Sequence, residues 1–298
     1  MAAFQIMNHT MKTCQKLFAL GILFFALPVL GQGMPPIVQA AKDANWAKLS
    51  SLLSTQSNVQ DVYGDGTSAL HWASYHDNVQ AAIELIDEGG DVNSVTDLGV
   101  TPLWLAADNG SAAMVDALLE SGANPNLNLL SGETLVMTAA HSGNAALVRS
   151  LLAAGASPQG EVTRNQTALM WAAGQGHGDV VGALLDYGAE VDARTLVRSQ
   201  YVKSEKEQDS HPLNKVWVEQ GGNTALIFAA RAGSLESARL LVAAGSDVNG
   251  LSAFGTSPAI MAIHGGNIEL LGFLLESGAD VESSASGHTA LHAAILRG

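Results

Sequence analysis

An all-α solenoid of stacked helix-turn-helix units is the fold class this sequence predicts, and three observations predict it. A Ser/Thr-led phrase recurs at Ser68, Thr101, Thr134, Thr167, Thr224, Ser257 and Thr289, with spacings of 33, 33, 33, 57, 33 and 32, and a fixed period of that size belongs to repeat arrays rather than to a single globular core. Glycines return at two fixed offsets from each marker. A pair of aliphatic residues returns between those glycines.

Each position has a physical reason. The opening Ser or Thr can cap a first helix by accepting from an unpaired backbone N–H, and Pro102 and Pro258 fit the first helical turn behind it. Nine residues on, Gly110, Gly143, Gly176, Gly233, Gly266 and Gly298 stand where that helix stops, because glycine accepts the left-handed conformation of a C-terminal cap. Helix one is therefore about two turns long. Helix two carries Leu52-Leu53, Leu85-Ile86, Leu118-Leu119, Leu151-Leu152, Leu184-Leu185, Leu241-Val242 and Leu274-Leu275. With Val115, Val148, Val181 and Leu271 three residues earlier, the pairs form an i, i+3, i+4 stripe of inter-repeat core. Gly89, Gly122, Gly155, Gly188, Gly245 and Gly278 end that helix, 21 residues after each marker. Short extended pieces such as Asp91-Val92-Asn93 and Asp247-Val248-Asn249 lead into the next unit. One helix pair cannot hide its apolar face alone, so neighbours must stack.

The phrases Thr101-Pro102-Leu103-Trp104-Leu105-Ala106-Ala107 and Ser68-Ala69-Leu70-His71-Trp72-Ala73 resemble the ankyrin repeat signature, Thr-Pro-Leu-His-x-Ala. The resemblance runs from residue 35 to 298 and implies an ankyrin-repeat solenoid with short β-turn or hairpin connections. It also implies that His71 and His292, in the histidine slot, bond locally to backbone, and that the ends of the first helices line a concave binding face. The reading divides the chain into a leader at 1–33, repeats one to five at 34–192, an insertion loop at 193–220 and repeats six to eight at 221–298. Repeat one, opening at Pro35-Pro36-Ile37, is more polar through Lys42, Lys48, Ser50 and Ser51, as an N-terminal cap should be. The eighth repeat stops at Gly298 after one helix, with Leu291, Ile295 and Leu296 uncovered, so the native chain is expected to continue.

Hydrophobic residues make up 47% of the 298-residue chain and charged residues 14%, which suits a packed array rather than a disordered one. The net charge is −14, and −16 without Lys12 and Lys16 of the leader. A surface so acidic repels phosphate backbones and anionic membranes, so nucleic acid is not the expected partner. Leu17–Leu30 is an uncharged run of 14 residues preceded by those lysines and followed by small residues near Gly31 and Gly33. This is the pattern of a cleavable signal peptide; an uncleaved anchor is the alternative, although the run is short against the roughly 20 residues a spanning helix needs. The only cysteine, Cys14, lies in that leader, so a processed chain has none and tolerates an oxidising compartment. A periplasmic or secreted protein, bacterial in type and not inserted in a membrane after cleavage, is the expectation.

Between Thr167 and Thr224 the spacing of 57 is one repeat plus 24 residues, placed at 193–216. Arg194, Arg198, Lys203, Lys206 and Lys215 face only Glu205, Glu207 and Asp209 there, so the segment is locally basic on an acidic chain. It reads as a solvated flexible loop, or as a contact arm using Tyr201, Trp217 and the basic side chains.

No catalytic constellation is present in the sequence: no His-Glu-x-x-His, no phosphate-cradling loop ending in Lys-Ser/Thr, no Gly-x-Ser-x-Gly. Gly174-Gln175-Gly176-His177-Gly178 is glycine-rich, but its phase marks it as a helix-ending turn. His141 and Asp108 share a register position; two donors fall short of a zinc site, and neither metal nor cofactor is expected. The candidate binding stripe is the pair of residues closing helix one of successive repeats: Tyr75 and His76, Asp108 and Asn109, His141 and Ser142, Gln175, Arg231 and His264. Its aromatic, imidazole and amide groups suit contact with protein. Trp72, Trp171 and Phe228 are read as packing between helices. The sequon Asn165-Gln166-Thr167 matters only in a glycosylating pathway. The expected function is a non-catalytic protein-protein interaction scaffold holding a partner on the concave face. The alternatives are a regulatory or targeting arm of a larger enzyme or transporter continuing past Gly298, and a secreted effector binding host proteins.

Overall fold

The computed structural model describes residues 33–282 except 56, 160, 163–164 and 204–214. The leader, the tip of the insertion and the eighth repeat with Thr289, His292 and Gly298 lie outside the described residues. The chain forms two compact units that meet in sequence between Asn124 and Pro125.

The described part of the N-terminal unit holds three helix pairs: α1 (Pro36–Lys42) and α2 (Trp46–Ser54), α3 (Ala69–Tyr75) and α4 (Val79–Asp87), α5 (Pro102–Asp108) and α6 (Ala112–Glu120). The described part of the C-terminal unit holds four: α7 (Leu135–Ser142) and α8 (Ala145–Ala153), α9 (Ala168–Gln175) and α10 (Gly178–Asp186), α11 (Ala225–Ala232) and α12 (Leu235–Ala243), α13 (Pro258–Gly265) and α14 (Ile268–Glu276). Within each unit first helices pack on first helices, second on second, and each helix on its own partner. This is the side-by-side stacking the period predicts.

The starts and stops follow the predicted chemistry with informative exceptions. Thr101 Oγ1 accepts from the Trp104 N–H at 3.0 Å, and Thr134, Thr167 and Ser257 do the same for Met137, Met170 and Ile260. Thr224 does not: its hydroxyl is buried without a hydrogen-bond partner. Gly143, Gly176, Gly233 and Gly266 cap their helices at φ between 74° and 78°. In the first two repeats Ala44 (φ 52°) and Asp77 (φ 54°) hold the same left-handed position, where a side chain costs about 1–2 kcal/mol. Gly176 is indeed such a cap, with His177 opening α10, so the glycine-rich phrase is a turn. A further signal follows the glycine: Asn78, Ser111, Asn144 and Ser234 cap the second helices by accepting from the N–H three residues on.

Leu85, Leu118, Leu151, Leu184, Leu241 and Leu274 are fully buried, so the first of each aliphatic pair is enclosed except Leu52, which is half-buried while Leu49 takes the buried place in α2. Their successors are half-buried, apart from buried Leu152 and exposed Leu275. The buried stripe is thus narrower than the pairs suggest, and in α14 Leu270 rather than Leu271 completes it.

The expected extended pieces are turns instead. Asp91 and Asp247 each accept from the N–H two residues on, at 2.9 Å, a local bond that competes with strand pairing. What links successive turns is a side-chain amide. Asn93 donates to the Gly122 carbonyl (3.2 Å) and accepts from the Asn124 N–H (2.7 Å). In the other unit Asn126 clasps Gly155 and Ser157, Gln159 clasps Gly188 and Glu190, and Asn249 clasps Gly278 and Asp280 in the same way.

The insertion corrects the expectation of a loop. It contains an antiparallel ribbon, β3 (Arg198–Lys203) with β4 (Lys215–Gln220), besides the short pair β1 (Glu161–Val162) and β2 (Gln166–Thr167) elsewhere in the unit. Its strands carry Tyr201-Val202 and Val216-Trp217-Val218, the aromatic and β-branched residues that favour a pleated backbone.

Leu151→Ala or Leu184→Ala is expected to cost about 2–5 kcal/mol, since both side chains are fully enclosed. Urea unfolding followed by circular dichroism measures this, and Leu275→Ala, at an exposed site, serves as the control near zero.

Candidate functional site

The stripe inferred at the ends of the first helices divides into groups presented to solvent and groups engaged by the neighbouring repeat. In the N-terminal unit Tyr75 closes α3 half-buried and His76 follows it, exposed. His76 stands in an aromatic cluster: Trp72 stacks on it at 6.1 Å, and Trp46 and Tyr75 meet it edge-on at 5.8 and 5.2 Å. Its Nε2 lies 3.0 Å from the Lys42 carbonyl and donates to it in the neutral tautomer, so the ring caps the end of α1. Asn109 does likewise, its amide donating to the carbonyls of Ser74 (3.1 Å) and Tyr75 (3.0 Å) at the end of α3. Asp108 is exposed, yet desolvation raises its carboxyl above the ordinary carboxylate value.

In the C-terminal unit His141 is half-buried at the end of α7 with Trp171 edge-on at 5.0 Å. Ser142 is exposed and its hydroxyl donates to the Ala139 carbonyl at 2.8 Å. Gln175, Arg231 and His264 are exposed at the ends of α9, α11 and α13. Desolvation pushes the Arg231 guanidinium below its ordinary value. Trp72 is buried, Trp171 and Phe228 are half-buried, and Phe228 lies against Gly174 of α9, as packing groups should.

Two more clamps escaped the reading of the sequence: His177 to the His141 carbonyl (3.3 Å) and Asn267 to the Ala230 carbonyl (3.3 Å). The signal was a polar side chain just after each helix-ending turn.

His71 occupies the slot expected to bond locally. Its Nδ1 accepts from the Ser68 N–H (3.1 Å) and faces Ser68 Oγ at 2.8 Å, while Nε2 reaches the Val100 carbonyl of the next repeat at 3.0 Å. One neutral ring thereby closes the cap of α3 and ties two repeats. Trp104 fills the same slot in α5 with its indole N–H buried and without a hydrogen-bond partner. Among the described residues no three His, Cys, Asp or Glu converge as metal ligands.

The family model for ankyrin repeats (3 copies) matches residues 37–129, 122–195 and 226–298. The chain belongs to the ankyrin repeat family. The crystal structure of the human ASB11 ankyrin repeat domain is similar over 88% of this chain and 97% of that one, with a TM-score of 0.59 and 27% identity. A Caenorhabditis elegans protein, the transient receptor potential cation channel subfamily A member 1 homolog, is 34% identical over 77 residues. That stretch is 26% of this chain and 6% of the channel homolog, so the chain spans only a small part of that relative's length. Ankyrin repeats are in general protein-protein interaction modules, and the fold is typically a non-catalytic scaffold. No helix among the described residues is long and apolar enough to cross a membrane; Leu17–Leu30 lies outside them.

Burial pushes the His71 imidazole down to about 4 from an ordinary 6.5. A histidine whose folded value is depressed stabilises the protein above its unfolded value, and that contribution fades as pH falls from 6.5 towards 4. About 3 kcal/mol is at stake across this window. Urea unfolding of the wild type is expected to weaken between pH 7 and 4 by more than that of His71→Asn.

Proposed function

We propose that this chain is an exported, non-catalytic scaffold that holds a partner protein along the ends of its first helices. The observation that carries the reading is the state of the two charged members of the row. Asp108 and Arg231 are exposed, yet both are desolvated enough to disfavour their charged forms. Such groups stand on surface that water already serves poorly, so a partner removes less hydration in covering them. Tyr75, His141, Gln175 and His264 add aromatic, imidazole and amide contacts of the kind that concentrate binding energy. His76 and Asn109 contribute chiefly by fixing the helix ends that carry their neighbours.

Export is supported by the Lys12 and Lys16 pair, the apolar run behind it and the small residues that follow. A chain whose single cysteine lies in that leader suits the periplasm or the external medium.

The test is affinity purification of a partner from the exported fraction, followed by titration against variants. Tyr75→Ala, Asp108→Ala and Arg231→Ala are each expected to weaken partner binding by about fivefold or more, while the thermal midpoint stays within a few degrees. Collapse of the fold in all three, or recovery of no partner together with turnover of a small molecule by the purified chain, overturns the proposal.

A further inference from the structure

Both units are stacks of helix pairs, but their charges differ. Residues 33–124 carry Lys42 and Lys48 as their only lysine or arginine against 12 Asp and Glu, whereas 125–298 carries 10 basic residues against 16. Among the described residues no carboxylate of the N-terminal unit is in an ion pair. The unit therefore presents a negative field that its own side chains leave uncompensated.

That field meets an aromatic cluster at the ends of the first helices. Tyr75 lies edge-on to both Trp72 (5.7 Å) and His76 (5.2 Å), and Trp46 stands on the other helix of the preceding pair, 5.8 Å from His76. The cluster already holds one cation: Lys42 Nζ lies 5.6 Å from the centre of the Trp72 ring, attracted by its π face. No cation stands over Tyr75 among the described residues.

One repeat on, Asp108 holds the place that Tyr75 holds in α3. The Asn109 amide, bonded to the Ser74 and Tyr75 carbonyls at 3.1 and 3.0 Å, ties the two helix ends together. The Asp108 carboxylate has no hydrogen-bond or ion-pair partner among the described residues, and neither has that of exposed Asp77 beside His76. Asp43, at the end of α1, instead accepts from the Gln39 amide at 2.8 Å. Desolvation already disfavours the charged form of Asp108, so a cation brought beside it is worth more than one beside a fully hydrated carboxylate.

We propose that the N-terminal part of the first-helix row takes an arginine from a basic segment of the partner protein, its guanidinium lying on the Tyr75 ring with its N–H groups turned to Asp108. The proposal rests on the row being the partner-binding surface and adds the chemistry that the row selects. A guanidinium is flat enough to stack on a ring while its fork of donors meets a carboxylate. Asp77 and the other carboxylates of the unit steer the basic residues that flank it.

Other occupants fit less well. A divalent metal ion needs several oxygen ligands at once, and no three acidic or histidine groups converge among the described residues. A second copy brings another −14 with it, and nucleic acid or an anionic bilayer is repelled.

The test is selection of a random peptide library on the immobilised chain, followed by titration of the recovered peptides in solution. An excess of arginine is expected among them. Their binding should fall about tenfold in Asp108→Asn, fall also in Tyr75→Ala, and hold to within about twofold in Asp116→Asn, which removes the same charge from an exposed site on α6. A peptide whose arginine is exchanged for glutamate should bind Asp108→Arg better than wild type, a reversal that loss of packing cannot produce. Recovered peptides without an arginine excess overturn the inference, and the row itself still stands if their binding falls in Tyr75→Ala or Arg231→Ala. Equal losses in Asp108→Asn and Asp116→Asn overturn it too, because the attraction is then diffuse. Peptides indifferent to every substitution in the row overturn both readings.

Discussion

Helices of seven to nine residues, as all of those described here are, are too short to persist in water by themselves, because the cost of starting a helix is spread over too few bonds. What stabilises them is packing on their own partner helix and on the helices of the adjoining repeats. The same constraint acts on polar groups. A short helix has proportionally more unsatisfied N–H and C=O groups at its ends, and those ends abut the neighbouring repeat. Burying the leucines of the second helices and satisfying the helix ends are thus parts of one problem, solved across the same boundary.

The polar half of the solution runs along both ends of the repeat. At the turns, Asn93, Asn126, Gln159 and Asn249 use both functions of a side-chain amide, giving a proton to one backbone carbonyl and taking one from an N–H two residues further on. At the other end of the first helices, His76, Asn109, His177 and Asn267 donate to the carbonyls that finish the preceding first helix. Tyr75 and Asp108 are held beside these clamps, so the geometry of the candidate binding row is set by residues that spend their own hydrogen-bonding capacity internally. A side chain so used has less to offer a partner, and His76 and Asn109 are accordingly supports for the row more than contacts within it.

The fold was legible because its signals are one-dimensional. Period, caps and helix-ending glycines depend on spacing alone, and Ala44 and Asp77 show that the left-handed position persists even where the glycine is missing. The candidate row was legible as positions but not as roles. Whether His76 faces a partner or the Lys42 carbonyl depends on a residue 34 places earlier, and no local pattern carries that. The same limit hid Thr224, whose sequence context matches that of the other markers although its hydroxyl caps nothing. The insertion is a different case: its length suggests a loop or a contact arm, whereas its aromatic and β-branched residues Tyr201, Val202, Val216, Trp217 and Val218 favour strands.

The insertion also enters where the amide series changes chemistry. The position held by Asn or Gln in the other turns is Asp192, which accepts from the Ser246 hydroxyl at 2.8 Å and from the Asp247 N–H at 3.1 Å. An ionised carboxylate has no proton to give, so the donation that Asn249 makes to Gly278 has no counterpart from Asp192. Two residues later Arg194 supplies donors in its place, reaching the Gly222 and Leu251 carbonyls on either side of the ribbon's stem. The join between these repeats is consequently charge-assisted where its neighbours are neutral. A guanidinium with its fixed fork of donors can hold two carbonyls belonging to different turns at once, and that is the geometry required to let 24 extra residues leave the array and return without breaking the phase of the helices that follow.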